Sequence, residues 1–374
     1  MNPWILLAPE YPPAIGGIAD YVAQLGVALD RAGDEVEIFA PAPAAATAAA
    51  GASVRELPRG YDFSAWRAIT DAVRARRDAV TVLQYVPLLF SHPLGLRYLL
   101  AWPGRLWVMF HEAAYPFEAG QLFRHRVLAV GTHVVASALV ERAEQVLVST
   151  PGCESALGKL GRGPRSAVWL PIPSNLTRPA LARARSLVLS EYGLDPERPV
   201  VGHFSAFGER VAESLRQTLK LLLVEDARVQ VLLVGQGSEV FAERLALELP
   251  GSAARIRAGG RVSSERAGEA IDASDVLLFP YPDGISTRRT TAMAGLAFGK
   301  ALVTTSGENT ESVWRREGCV ELQPLDPTKL AGALRALLAD KARRTELGAR
   351  AERVYRARFA LERSVELLRG LRGR

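Results

Sequence analysis

Cysteine is scarce in this sequence: two residues in 374, Cys153 and Cys319. They lie far apart and match no metal-ligand spacing, so they are expected to be reduced thiols of a cytosolic protein rather than part of a disulfide framework or a zinc site. Long apolar runs are missing as well. The longest candidate, residues 127–140, contains Gly131, Thr132, His133 and Ser137 and is too short to span a bilayer. No basic stretch is interleaved with stacking aromatics and no recognition helix is evident, which argues against nucleic acid as a partner. The dinucleotide fingerprint G-x-G-x-x-G is absent after the first strand, which argues against a nicotinamide enzyme. The chain enters Trp4-Ile5-Leu6-Leu7-Ala8 without a basic leader, so a first strand is expected there rather than a signal peptide.

What is present is a soluble globular composition, 48% hydrophobic and 23% charged, at a length suited to two α/β domains. The net charge of +6 is compatible with an Arg-rich composition, an anionic ligand or an anionic lipid surface. Short apolar runs at residues 4–8, 35–40, 80–85, 106–110, 145–149 and 167–170 alternate with amphipathic helical patterns at 18–32 and 63–77. A second series of strands begins at 199–204 and continues through 229–234, 255–257, 276–279 and 301–304. Helical patterns at 211–223, 239–249, 264–273, 287–298 and 327–339 separate them. Such alternation predicts two doubly wound parallel sheets, each with crossover helices, facing across a cleft where ligands bind at the carboxyl ends of the strands. The expected first domain is 1–173, with a C-terminal helix within 360–374 packing back on it, and the second is 174–359. A connecting helix is expected at 176–191, and the Ala- and Pro-rich stretch 42–51 as a surface connection.

Two segments carry chemistry. Pro12-Pro13-Ala14-Ile15-Gly16-Gly17 follows the first strand and opens the first helix. Paired glycines there let backbone N–H groups approach a phosphate at the positive end of the helix, or simply allow a tight turn. The second segment, Pro280-Tyr281-Pro282-Asp283-Gly284-Ile285-Ser286-Thr287-Arg288-Arg289-Thr290-Thr291, joins a buried strand to a helix. Asp283 can accept hydrogen bonds from sugar hydroxyls. Gly284, Ile285, Ser286 and Thr287 are expected to present unpaired helix N-terminal N–H groups to a diphosphate. Arg288 and Arg289 are expected in the first helical turn, where the macrodipole disfavours positive charge unless an anion is bound.

Taken together with Phe110-His111-Glu112, Leu232-Leu233-Val234-Gly235-Gln236-Gly237, Gly259-Gly260-Arg261-Val262 and Gly299-Lys300-Ala301-Leu302-Val303-Thr304, the chain resembles the family 4 retaining glycosyltransferases of GT-B fold. The resemblance implies transfer of a sugar from a nucleoside-diphosphate sugar to a hydroxyl acceptor (glycan, lipid-linked glycan or small molecule) with retention. No cofactor and no metal are implied. Gly16 and Gly17 match the loop facing the donor diphosphate, His111 the histidine beside the donor sugar, and Arg261 and Val262 the backbone that meets the nucleobase. The expected location is the cytoplasm, extended by peripheral contact with the inner face of its membrane.

The family's Glu-x7-Glu pair is altered here to Asp283 and Thr291, and a hydroxyl holds a ribose less strongly than a carboxylate does. The family's Arg and Lys after the first strand of the second domain are reduced to Arg210 in Phe204-Ser205-Ala206-Phe207-Gly208-Glu209-Arg210. Arg288 or Arg289 is the expected replacement for the lost charge. Rival readings are a nucleotide-sugar epimerase of the same fold, a catalytically inactive sugar-nucleotide-binding partner and, last, a Rossmann dehydrogenase.

Overall fold

The computed structural model describes residues 2–14, 16–43, 52–87, 93–117, 120–159, 167–178 and 183–373. It divides into two compact units, Met1–Ile172 with Leu361–Arg374, and Pro173–Ala360. Residues 44–51 of the Ala-rich connection lie outside the described residues.

The first unit holds a parallel sheet of seven strands: β1 (Pro3–Leu7), β2 (Glu35–Pro41), β3 (Ser53–Leu57), β4 (Val80–Tyr85), β5 (Arg105–Phe110), β6 (Gln145–Val148) and β7 (Ala167–Trp169). Their order is β3-β2-β1-β4-β5-β6-β7. Every residue of β1 and β4 is buried, because helices cover both faces of the sheet; that is why these strands are continuous apolar runs rather than alternating ones. One face packs on Trp66, Ile69 and Leu139, the other on Tyr21, Val22 and Leu25. The last helix, Leu361–Arg372, adds Val365 and Leu368 to this second layer. Arg372 lies over the Trp4 ring at 5.2 Å, and its guanidinium donates to the Asp78 carbonyl (2.7 Å).

The second unit holds β8 (Val200–Phe204), β9 (Gln230–Val234), β10 (Ile256–Ala258), β11 (Val276–Phe279), β12 (Ala301–Thr305) and β13 (Glu321–Gln323), all parallel in the order β10-β9-β8-β11-β12-β13. In each sheet the strand order reverses once, between β1 and β4 and between β8 and β11. Loops leaving the carboxyl ends of those strands border the crevice where open α/β sheets take ligands.

Three expectations are corrected. β3 and β13 are edge strands absent from the sequence reading, since Ser-Val-Arg-Glu-Leu and Glu-Leu-Gln form no buried apolar run. Of the connecting helix expected at 176–191, Arg185–Glu191 is helical, whereas residues 176–178 and 183–184 are not; residues 179–182 lie outside the described residues. The helix expected from residue 287 begins at Thr290, with consequences described next.

Candidate functional site

In the first unit, Gly16 caps the helix Gly17–Arg31 in extended conformation, directly after the β1 loop. The start of this helix is met by the chain's own carboxylate: Glu10 Oε1 accepts the Ala19 N–H at 3.4 Å. Glu10 also lies over Gly16, where an added Cβ would stand 2.1 Å from Oε1. An acidic group at a helix N-terminus is favourable in the absence of a bound anion.

His111 follows β5 and is buried. Its Nε2–H donates to Gln84 Oε1 (2.8 Å), which places a proton on Nε2. Tyr21 meets the imidazole edge-on at 5.7 Å between centroids. The backbone is held too: His111 N–H donates to the Tyr85 carbonyl, and Ser149 Oγ–H to the His111 carbonyl. Beside this ring, the Tyr21 hydroxyl and Gln84 Nε2 are buried without a hydrogen-bond partner among the described residues. Each such group costs about 1–3 kcal/mol, a burden that functional sites carry more often than plain cores.

In the second unit the turn after β11 is determined several times over. Gly284 has φ +85°, and a Cβ there would lie 2.4 Å from the Gly307 nitrogen, so neither conformation nor space admits a side chain. Thr304 Oγ1 donates to the Phe279 carbonyl and Thr305 Oγ1 to the Tyr281 carbonyl, tying the turn to β12. The buried Glu311 carboxylate closes it: Oε1 accepts Thr287 N–H (2.9 Å) and Thr287 Oγ1–H (2.7 Å), while Oε2 accepts Trp314 Nε1–H (2.6 Å).

This geometry corrects the expectation of unpaired N–H groups at Gly284, Ile285 and Thr287. Gly284 N–H donates to the Tyr281 carbonyl, Ile285 N–H to the Thr305 carbonyl and Thr287 N–H to Glu311. Ile285, Ser286 and Thr287 are all buried. Because the helix is Thr290–Ala297, Arg289 is its N-cap and Arg288 precedes it; neither lies in the first turn. The two side chains diverge. Arg288 is exposed, whereas Arg289 lies over the Tyr281 ring at 4.7 Å and forms a hydrogen-bonded ion pair with Asp283. Arg289 Nε is buried without a partner among the described residues.

Asp283 also accepts Asn309 Nδ2–H at 2.9 Å. Partial burial pushes its carboxyl pKa up, but the Asn309 bond and the Arg289 charge outweigh that and hold it below the usual carboxylate range. Asp283 is therefore an anion at neutral pH. Thr291 shares a 2.7 Å hydrogen bond with the Tyr281 hydroxyl.

Across the switch point, the loop after β8 is organised by His203, which sequence reasoning passed over. Its Nδ1–H donates to the Leu278 carbonyl (2.6 Å), and Nε2 accepts from Ser205 Oγ (2.7 Å). Ser205 Oγ in turn accepts Phe207 N–H (3.0 Å), and Phe207 adopts φ 47°. Burial lowers the His203 pKa to about 4, despite the Leu278 bond that opposes it, so the ring is neutral. Arg210 is exposed in the first turn of the helix Glu209–Glu225. Arg261 is exposed after β10, and Val262 is half-buried against the core around Val200 and Leu232. Two more residues were not foreseen, the buried Glu311 and the exposed Asn309; an acid in a polar loop carries no local sign of burial. Among the described residues no group of three His, Cys, Asp or Glu could hold a metal ion, and no helix is long and apolar enough to cross a membrane.

Comparison with known proteins adds the following. Residues 198–340 match the family described as "Glycosyl transferases group 1". No curated protein matches the chain. Among solved structures, sucrose-phosphate synthase from Thermosynechococcus elongatus is 20% identical with a TM-score of 0.71, covering 99% of this chain and 98% of that one. HepE of Anabaena in complex with UDP is 14% identical with a TM-score of 0.69, covering 99% of each chain. A Listeria monocytogenes protein assigned as a UDP-N-acetylglucosamine 2-epimerase is 11% identical with a TM-score of 0.61, covering 98% and 94%. The chain therefore has the GT-B fold of two Rossmann-like parallel-sheet units, with the glycosyl transferases group 1 match lying wholly within the second.

Proposed function

We propose that the chain is a retaining glycosyltransferase of family 4 that moves a sugar from a nucleoside-diphosphate sugar to a hydroxyl acceptor in the synthesis of a polysaccharide, glycolipid or glycosylated metabolite. The observation that carries this reading is the group 1 match over residues 198–340, the stretch that contains the switch-point loops and the Asp283–Arg289 turn. The HepE structure holds UDP, which favours a nucleotide sugar as donor. Fold alone does not choose, because an epimerase shares it.

In this reading charge develops on the departing diphosphate, and Arg289 supplies the positive charge that Arg210 alone would not. Its pairing with Asp283 gives it a second duty. A diphosphate oxygen taking the N–H edge of the guanidinium that Asp283 now holds would leave Asp283 free to turn toward a sugar hydroxyl. Charge-assisted bonds of this kind are worth roughly 1.5–3 kcal/mol each. Thr291 takes the ribose, Arg261 and Val262 the base, and Gly16 and Gly17 are assigned to diphosphate binding. His111, its Nε2 proton held by Gln84, orients the sugar. No metal or cofactor is assigned, and the place of action is the cytoplasm.

Titration with UDP, GDP, ADP and dTDP tests the donor assignment. One of them should raise the melting temperature in a concentration-dependent way, by about 2.7 kcal/mol of stability at a hundredfold excess over Kd. No shift with any of the four overturns it. NMR of the sugar product then separates transfer with retention from inversion, from an epimerised free donor, and from binding without turnover. His111→Ala should lower turnover far more than donor affinity; equal loss of both would return His111 to a purely structural role.

A further inference from the structure

The hydroxyl of Thr291 already has a partner. Thr291 stands half-buried in the first turn of the helix Thr290–Ala297, and the hydroxyl of Tyr281 that shares its 2.7 Å hydrogen bond belongs to a side chain only 4% exposed. Tyr281 is itself held in place. Its ring is stacked with that of Phe279, 5.8 Å between centroids and 5° between planes, and the Arg289 guanidinium lies over it at 4.7 Å. Burial raises the Tyr281 pKa above the ordinary phenol value, against the Thr291 bond and the Arg289 charge, so the phenol keeps its proton at neutral pH. The pair is therefore uncharged, and two hydroxyls that bond one another are partnered before any ligand arrives.

Negative charge is absent from this helix start or committed elsewhere. The first turn of Thr290–Ala297 contains no acid. Two carboxylates of the neighbouring turns are engaged: Asp283 with Arg289 and Asn309, Glu311 with Thr287 and Trp314. A site rejects a ligand that lacks a hydroxyl when the loss leaves the site's own buried polar groups unpaired. Where those groups pair with one another, the missing hydroxyl leaves none of them stranded.

We infer that the ribose subsite at Thr291 does not read the 2′-hydroxyl, so that the chain takes 2′-deoxyribonucleoside diphosphate sugars as readily as their ribo counterparts. The inference rests on the assignment of Thr291 to the ribose in the proposed function, and it adds a rule about which pentose the donor carries. A neutral hydroxyl pair meets a ribose hydroxyl only by exchanging one neutral bond for another, which returns little free energy. A carboxylate at the same position would discriminate, because hydrogen bonds to a charged acceptor are roughly twice as strong as neutral ones.

The test is calorimetric titration of the full chain with UDP, ribothymidine diphosphate, GDP and ADP, each against its own 2′-deoxy form, so that the base is constant within a pair. For whichever base binds, the two dissociation constants should agree within about twofold. Thr291→Glu should create a preference, with the ribo form at least about tenfold tighter than the deoxy form. The ratio within a pair is the readout, because the added charge repels both diphosphates alike. An acid in the first helical turn favours the helix, and a melting temperature within a few degrees of the parent confirms that the variant folds. A parent that binds the ribo form more than about fivefold tighter overturns the inference while leaving the donor assignment standing. A folded Thr291→Glu that remains indifferent overturns it as well, since Thr291 then does not face the ribose. No binding by any of these nucleotides overturns the donor assignment, and the inference with it.

Discussion

Two strand-to-helix turns, one in each sheet and each beside the point where strand order reverses, are held very differently. After β1, the helix start at Gly16 and Gly17 is met, among the described residues, by one half-buried carboxylate, Glu10, through a single 3.4 Å bond. After β11, the turn is held by Thr304, Thr305, Glu311 and the Asp283–Arg289 pair. In both, the chain's own acids answer the positive groups that a diphosphate would use. The difference is in cost: moving Glu10 breaks one weak contact, whereas remaking the second turn disturbs a buried network. A lightly held turn can yield to a ligand, while an over-determined one serves as a fixed platform on which only the Arg289 contact is exchangeable.

The largest effect should come from Glu311→Ala. It removes the acceptor of three buried donors, Thr287 N–H, Thr287 Oγ1–H and Trp314 Nε1–H, and should cost about 3 kcal/mol or more in urea unfolding. A loss below about 1 kcal/mol would mean the second turn is not over-determined. Next comes the pH response of His203. Its folded pKa, about 4, lies below the unfolded value near 6.5, so the unfolded chain binds the extra proton between them. The stability it contributes is complete above about pH 6.5 and is lost as pH falls toward 4, about 3 kcal/mol in all. His203→Gln should flatten unfolding curves in that window relative to the parent; unchanged slopes would remove His203 from the platform.

Smaller, but closer to function, is Arg289→Ala. Nucleoside diphosphate should bind about tenfold more weakly or worse, with the bare nucleoside little changed, because the lost contact is to phosphate. If Arg289→Ala and Arg288→Ala both bind diphosphate like the parent, the replacement of the family's missing charges by this pair is wrong. The smallest effect belongs to Glu10→Gln, which should shift stability by only a few tenths of a kcal/mol. Removing that anion should also tighten diphosphate binding severalfold by calorimetry. Unchanged affinity would take Gly16 and Gly17 out of the phosphate site and make the two turns unlike in role as well as in build.

Much of the architecture was legible in residue order because buried parallel strands must be apolar throughout. The runs at Trp4-Ile5-Leu6-Leu7 and Val276-Leu277-Leu278-Phe279 admit no other placement, and strand–helix alternation then dictates parallel pairing. Hidden from the sequence were the edge strands β3 and β13, whose polar residues need only one neighbour to pair with. The true helix start at Thr290 was hidden too. Residues 284–287 look like a helix N-terminus by type, but Thr305 and Glu311, some twenty residues further on, claim the N–H groups of Ile285 and Thr287 first. Local pattern determined the strands, the crossovers and the position of the turns, because burial and periodicity act residue by residue. Which backbone donors are spent, which arginine is paired and which histidine is neutral were decided only by tertiary structure, because hydrogen-bond partners and dielectric environment come from segments distant in sequence.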